Sequence, residues 1–141
     1  MKFNNKKGTA IVEFAIVLPL LFLILMGIIE FSLVLYDKAI LTNASREGAR
    51  AGIVSQSPKV TDAQIRTIVK NYCQSFLITF GSDTLQDADI LVSPAMRDGL
   101  PFGSDLTVTL NYRYDFLVLP SFMTTAMGPI NLVAQTVMKL E

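Results

Sequence analysis

Residues 10–29 (AIVEFAIVLPLLFLILMGII) are twenty positions in which Glu13 is the only charge. A helix rises about 1.5 Å per residue, so this run is long enough to span the roughly 30 Å hydrocarbon core of a bilayer. Helical pattern continues without proline from Glu30 to about Val54. The sequence therefore predicts one helix over residues 10–54, 45 residues and about 68 Å long, of which only the first half fits in a membrane. Ser55-Gln56-Ser57-Pro58 is a short polar break. Thr61 and Gln64 then stand at capping-box spacing. Ile65, Ile68, Val69, Tyr72, Phe76, Leu77 and Phe80 follow at helical intervals, which predicts an amphipathic helix closed by Gly81.

Beyond Gly81 the hydrophobic period drops from about 3.6 to 2. Residues 90–93 read as a short apolar strand. Over residues 105–114, Leu106, Val108, Leu110, Tyr112 and Tyr114 alternate with Thr107, Thr109, Asn111 and Arg113. Over residues 131–140, Leu132, Ala134, Thr136 and Met138 oppose Val133, Gln135, Val137 and Lys139. These segments predict a small antiparallel sheet with one solvated face. The simplest way to bury its apolar side is to lay the long helix across it, an α+β arrangement. Between the last two strands, residues 116–130 (FLVLPSFMTTAMGPI) are unusually apolar for a connection. Two roles suit it: a lid folded back on the core, or an exposed patch for a neighbouring subunit or the bilayer surface.

Lys2, Lys6 and Lys7 precede the apolar run, and positive flanks are retained in the cytoplasm, so the body is expected on the far side of the membrane. A cleaved secretory signal begins in a similar way. However, the apolar run exceeds the usual 7–15 residues of a signal core, and Glu30-Phe31 stands where small residues would be needed for cleavage. Pro19 removes one hydrogen bond inside the span and favours a kink there, and Gly27 adds a second soft point.

Composition narrows the functional classes. Hydrophobic residues make up 51% of 141 residues, with the excess lying in the apolar run, and 141 residues leave room for one anchor and one small body. With the three leading lysines set aside, residues 9–141 carry nine basic side chains against twelve acidic, which makes nucleic acid an unsuitable partner. One cysteine and no histidine exclude an internal disulfide, a His-based triad and a Cys/His zinc site. Cys73 falls on the apolar side of its helix and reads as a buried thiol. Asp83, Asp87 and Asp89 lack EF-hand spacing and suit turn and capping roles better than a metal. No cofactor, metal site or enzymatic activity is expected.

Glu13 is a carboxylate one turn inside the membrane, where an unpartnered charge costs about 2.5–3.5 kcal/mol at mid-bilayer and less near the edge. It snorkels to the cytoplasmic interface or it has a partner. Its neighbourhood, Lys6-Lys7-Gly8, then Thr9-Ala10-Ile11-Val12, then Glu13-Phe14 and a long apolar helix, resembles the processing site of type IV pilin-like proteins. The closer resemblance is to the TadE-like pseudopilins of tight-adherence (Tad/Flp) pilus systems, through GTAIVEFAIVLPLLFLILMGIIEF, then NASREGARAG, then the C-terminal strands.

That resemblance implies a pilin-like fold and a minor pseudopilin with a structural or assembly role. A prepilin peptidase would cut after Gly8, removing residues 1–8 and leaving Thr9 as the first residue and Glu13 as the fifth, with residues 9–54 as the helix and 55–141 as the extracytoplasmic domain. Thr9 differs from the phenylalanine usual at this position in major type IV pilins, which leaves methylation of the new terminus open. The implied location is the bacterial inner membrane, single-pass with the N-terminus cytoplasmic, and the assembled pilus. The implied partners are other pilin and pseudopilin subunits, the inner-membrane assembly platform and the lipid bilayer. A buried α-ammonium and a buried carboxylate are each costly alone and offset one another when paired, so the amine of an entering subunit could meet a neighbour's Glu13 and set the axial register.

In the second half of the helix Ala44, Gly48 and Gly52 stand four apart on one face, where small residues allow close approach of another backbone, here expected to be the protein's own sheet. Arg46 and Arg50 share another face, either solvated or in contact with a partner subunit. A permanently anchored extracytoplasmic binding or sensor module is the alternative function.

Overall fold

The computed structural model describes residues 6–54, 58–79, 85–95 and 100–140. It has a long N-terminal helix packed on a three-stranded antiparallel sheet, with further helices, an α+β fold. The first helix, α1, runs unbroken over Lys6–Ile53 with Pro19 inside it. Up to Ile29 it touches little else, and none of the residues in its most apolar stretch is buried. Among the described residues this is the one helix long and apolar enough to cross a membrane.

From Glu30 onward α1 acquires a buried stripe. Glu30, Asp37, Leu41, Ala44, Ser45, Gly48, Ala49 and Gly52 are all buried, at the three- and four-residue steps that keep one helix face against a partner. That partner is a layer formed by the second helix and the sheet.

The second helix, α2 (Asp62–Phe76), starts at the predicted place. Thr61 Oγ1 accepts from the Gln64 N–H at 3.3 Å, and Gln64 Oε1 accepts from the Thr61 N–H at 2.8 Å. Ile65, Val69 and Cys73 are its buried face. Its end differs from expectation. The helix stops at Phe76, Leu77 is extended (φ −67°, ψ 138°), and the Ile78 N–H donates to Asp37 Oδ1 at 3.1 Å. A buried acceptor on α1 thus draws the chain out of the helix before the glycine. Phe76 is left 49% exposed, its ring tilted against that of Tyr72 at a centroid distance of 5.0 Å. Phe80 and Gly81 lie outside the described residues, as do residues 55–57 and Asp83.

Strands β1 (Ile90–Ser93), β2 (Asp105–Tyr114) and β3 (Ile130–Lys139) pair in that order, both pairs antiparallel, with Ile90 opposite Leu110, Leu106 opposite Met138 and Tyr114 opposite Ile130. A short 3-10 turn, Asp87–Asp89, leads into β1, and Asp87 holds Lys70 of α2 at 3.0 Å. The predicted inward set of β2 is buried throughout, and Leu132 and Ala134 of β3 join it. Strand β2 runs antiparallel to α1. Its Leu106 lies beside Gly52, its Val108 beside Gly48, and its Tyr114 hydrogen-bonds Glu30. The span from Gly52 to Glu30 along a helix is about 33 Å, close to the roughly 27 Å that Leu106 to Tyr114 covers in a strand.

The 116–130 connection is not uniform. Phe116 and Leu117 pack against the core as a lid, whereas residues 121–127 form a third helix, α3 (Ser121–Met127), absent from the sequence-based expectation, on which Phe122 and Met127 are exposed.

Candidate functional site

The sequence-predicted positions fall at two separate levels of α1. Gly8, Thr9, Glu13 and Phe14 occupy its first turns, and Glu13, Phe14 and Pro19 are exposed. No hydrogen bond or ion pair reaches Glu13 from the described residues. A side chain built at Gly8 would meet nothing within 4 Å. Among the described residues this end of the molecule is an exposed apolar helix that carries one acidic side chain, Glu13.

Ala44, Gly48 and Gly52 are buried at the upper level, facing the protein's own body. A Cβ at Gly48 would stand 2.6 Å from Val69 Cγ2, and one at Gly52 would stand 2.5 Å from Leu106 Cδ2 and 2.7 Å from Ile65 Cδ1. The small residues therefore let α1 settle against α2 and β2 together. Arg46 and Arg50 point to the opposite, exposed side, and neither has a hydrogen bond or ion pair among the described residues.

Sequence reasoning passed over the charge that accepts the most hydrogen bonds among the described residues. Glu30, only 2% exposed, accepts four hydrogen bonds. The Tyr114 hydroxyl donates to Oε1 at 2.6 Å, the Leu117 N–H to Oε1 at 3.0 Å, and the N–H groups of Val118 and Leu119 to Oε2 at 2.7 and 3.0 Å. Three successive backbone N–H groups converging on one carboxylate form an anion nest, and hydrogen bonds to an ionised acceptor are about twice as strong as neutral ones. Burial, and then the carboxylate to which it donates, push the Tyr114 phenol above its ordinary range. The one sequence signal was a glutamate ending an apolar run within helical register of Asp37 and Leu41, on the stripe that faces the sheet.

Higher on the stripe, Asp37 is fully buried with its Oδ2 unpaired among the described residues, and burial raises its pKa despite the bond from Ile78. Cys73 is also buried, as expected. Desolvation, followed by the nearby Asp37 carboxylate, pushes its thiol up to about 12, so it is inert at neutral pH. Lys38 donates to the Val133 carbonyl, and Ser45 shares a 2.7 Å hydrogen bond with Thr136, tying α1 to β3.

A single apolar helix long enough for membrane anchoring thus continues into a stem that carries a small α+β head. A family model described as TadE-like protein matches residues 8–50, in agreement with the resemblance carried by Gly8, Glu13 and Phe14. The likeness is thus confined to the long helix, from Gly8 to Arg50. No curated protein and no solved structure matches the chain.

Proposed function

We propose that this chain is a minor pseudopilin of a tight-adherence pilus, processed by a prepilin peptidase after Gly8 and incorporated through its N-terminal helix. Before assembly it resides in the inner membrane with its N-terminus cytoplasmic, its body extracytoplasmic and its helix beside the assembly platform. The observation that carries the reading is the TadE-like match, which begins at Gly8 and contains Glu13-Phe14 on a helix whose lower half is exposed among the described residues. After cleavage the ammonium of Thr9 meets the Glu13 carboxylate of a neighbouring subunit, and the apolar surface from Ala10 to Ile29 exchanges lipid for other helices. Glycine suits the cut because it brings no side chain between the peptidase and the backbone.

The test is Gly8→Leu in cells that carry the peptidase. Nothing lies within 4 Å of a Cβ at this position, so the fold tolerates the change and any effect falls on processing. The expected result is a precursor of unprocessed gel mobility, and normal processing of the variant would contradict the proposal.

A further inference from the structure

The connection between β2 and β3 occupies a particular height on the molecule. Tyr114 and Ile130 are paired across the sheet, so residues 115–129 leave and re-enter it at one edge. That edge is fixed to Glu30, the first residue beyond the 10–29 run, through Tyr114 and the N–H groups of Leu117, Val118 and Leu119. Phe122 follows Leu119 by three residues, within about 11 Å of chain. The connection is therefore held where α1 passes between the apolar core of a bilayer and water.

Its chemistry matches that height. No charged residue occurs from Phe116 to Met138, while Phe122 and Met127 on α3 are 68% and 61% exposed. Arg113 and Asp115, 3.6 Å apart, stand where the charged surface resumes. On α1 at the same level Phe31, Leu35 and Tyr36 are also exposed, and a tyrosine here suits the headgroup layer. The far end of the sheet differs, closing with the Lys139–Asp105 ion pair at 2.9 Å.

We propose that residues 116–129 make a second contact with the membrane, with α3 lying in the headgroup layer of the leaflet from which α1 emerges and Phe122 and Met127 seated at the acyl boundary. The occupant of this apolar face is the bilayer surface, because the face is continuous with the membrane-spanning part of α1 and pinned to it through Glu30. The contact fixes the tilt of the body over the membrane and keeps lipid away from the buried carboxylate. It rests on reading residues 10–29 as the membrane span.

The test uses the full chain in vesicles of phosphatidylethanolamine and phosphatidylglycerol, with and without bromine on the acyl chains, at high lipid excess. Cysteines introduced as Phe122→Cys, Met127→Cys, Val17→Cys and Phe102→Cys are labelled one at a time with an environment-sensitive fluorophore. Cys73, 2% exposed with a thiol near 12, leaves the label to the introduced residue. Probes at 122 and 127 are expected to lose intensity in brominated lipid, as the probe at 17 does. The probe at 102 should not change, although Phe102 is 86% exposed, because it lies by the far edge of the sheet. Quenching at 17 without quenching at 122 and 127 would overturn the inference while leaving the span intact. A blue-shifted probe at 122 that is unquenched by bromine and returns to the red on further dilution into lipid would assign the face to a second copy, and would likewise overturn it. Absence of quenching at 17 would remove the membrane span itself, and this inference with it.

Discussion

Glu30 and Tyr114 lie 84 positions apart and share a 2.6 Å hydrogen bond that joins the long helix to the last residue of the central strand. The same carboxylate collects Leu117, Val118 and Leu119, so one side chain fixes the angle between stem and body and the path of the connection beyond. Removing it strands a phenol and three N–H groups in a nearly closed site.

Glu30→Ala should therefore destabilise the body by about 3 kcal/mol, the scale for breaking a buried, hydrogen-bonded charge. Tyr114→Phe, which removes one donor and leaves the nest, should cost about 1–2 kcal/mol. Thermal unfolding of the full chain in detergent, followed by circular dichroism in the strand region, ranks the two. Equal melting temperatures for Glu30→Ala and the wild type would show that the nest contributes nothing.

Gly52→Ala inserts a methyl group 2.5 Å from Leu106 and 2.7 Å from Ile65, both fully buried and unable to swing into solvent. The expected cost is about 1–3 kcal/mol through overpacking. Gly27→Ala is the matched control, since a Cβ there meets nothing within 4 Å. The same melts should separate the two substitutions, with only the first lowering the transition.

Asp37 is buried with a raised pKa, so the folded protein binds this proton at a higher pH than the unfolded chain does. Acidification then stabilises the native state as pH falls through the raised value toward the ordinary aspartate range, near ~3.9. Above the raised value the charged carboxylate weakens the fold. Against Asp37→Asn, which cannot titrate, the wild type should gain in melting temperature as pH is lowered. A gap independent of pH would contradict this.

Glu13 has no partner among the described residues and is exposed, so Glu13→Ala should leave the melting of the body unchanged. Its expected effect is on assembly: loss of surface pili in cells where the variant is the only copy. Normal piliation would favour a simple anchor, with no register set by charge pairing.

Wherever one periodicity governed a segment, the fold was legible in the sequence. Strand β2 is buried at every second residue because Leu106 to Tyr114 alternate without exception, and the capping box at Thr61 marks the start of α2. Local pattern failed where a distant side chain decided the outcome. Asp37 ends α2 at Phe76 by taking the Ile78 N–H across 41 positions, and no feature of residues 70–80 announces it. The Glu30 nest is similar, since its donors are backbone N–H groups, which carry no residue signature. In the apolar 116–130 segment, lid and exposed helix read alike, because burial there depends on the height at which Glu30 holds the chain. Gly8 and Glu13 stand out through family likeness and through the cost of a carboxylate in an apolar run, and the described residues supply no hydrogen-bonding or ionic partner for the Glu13 side chain.

The central claim is that this helix is trimmed before it is used, and intact-mass spectrometry of the protein isolated from its native membrane tests it most directly. The expected species begins at Thr9, lacking residues 1–8. A chain that retains Lys6-Lys7-Gly8 at full occupancy, in cells with an active peptidase, would contradict the account and leave a permanently anchored protein in its place.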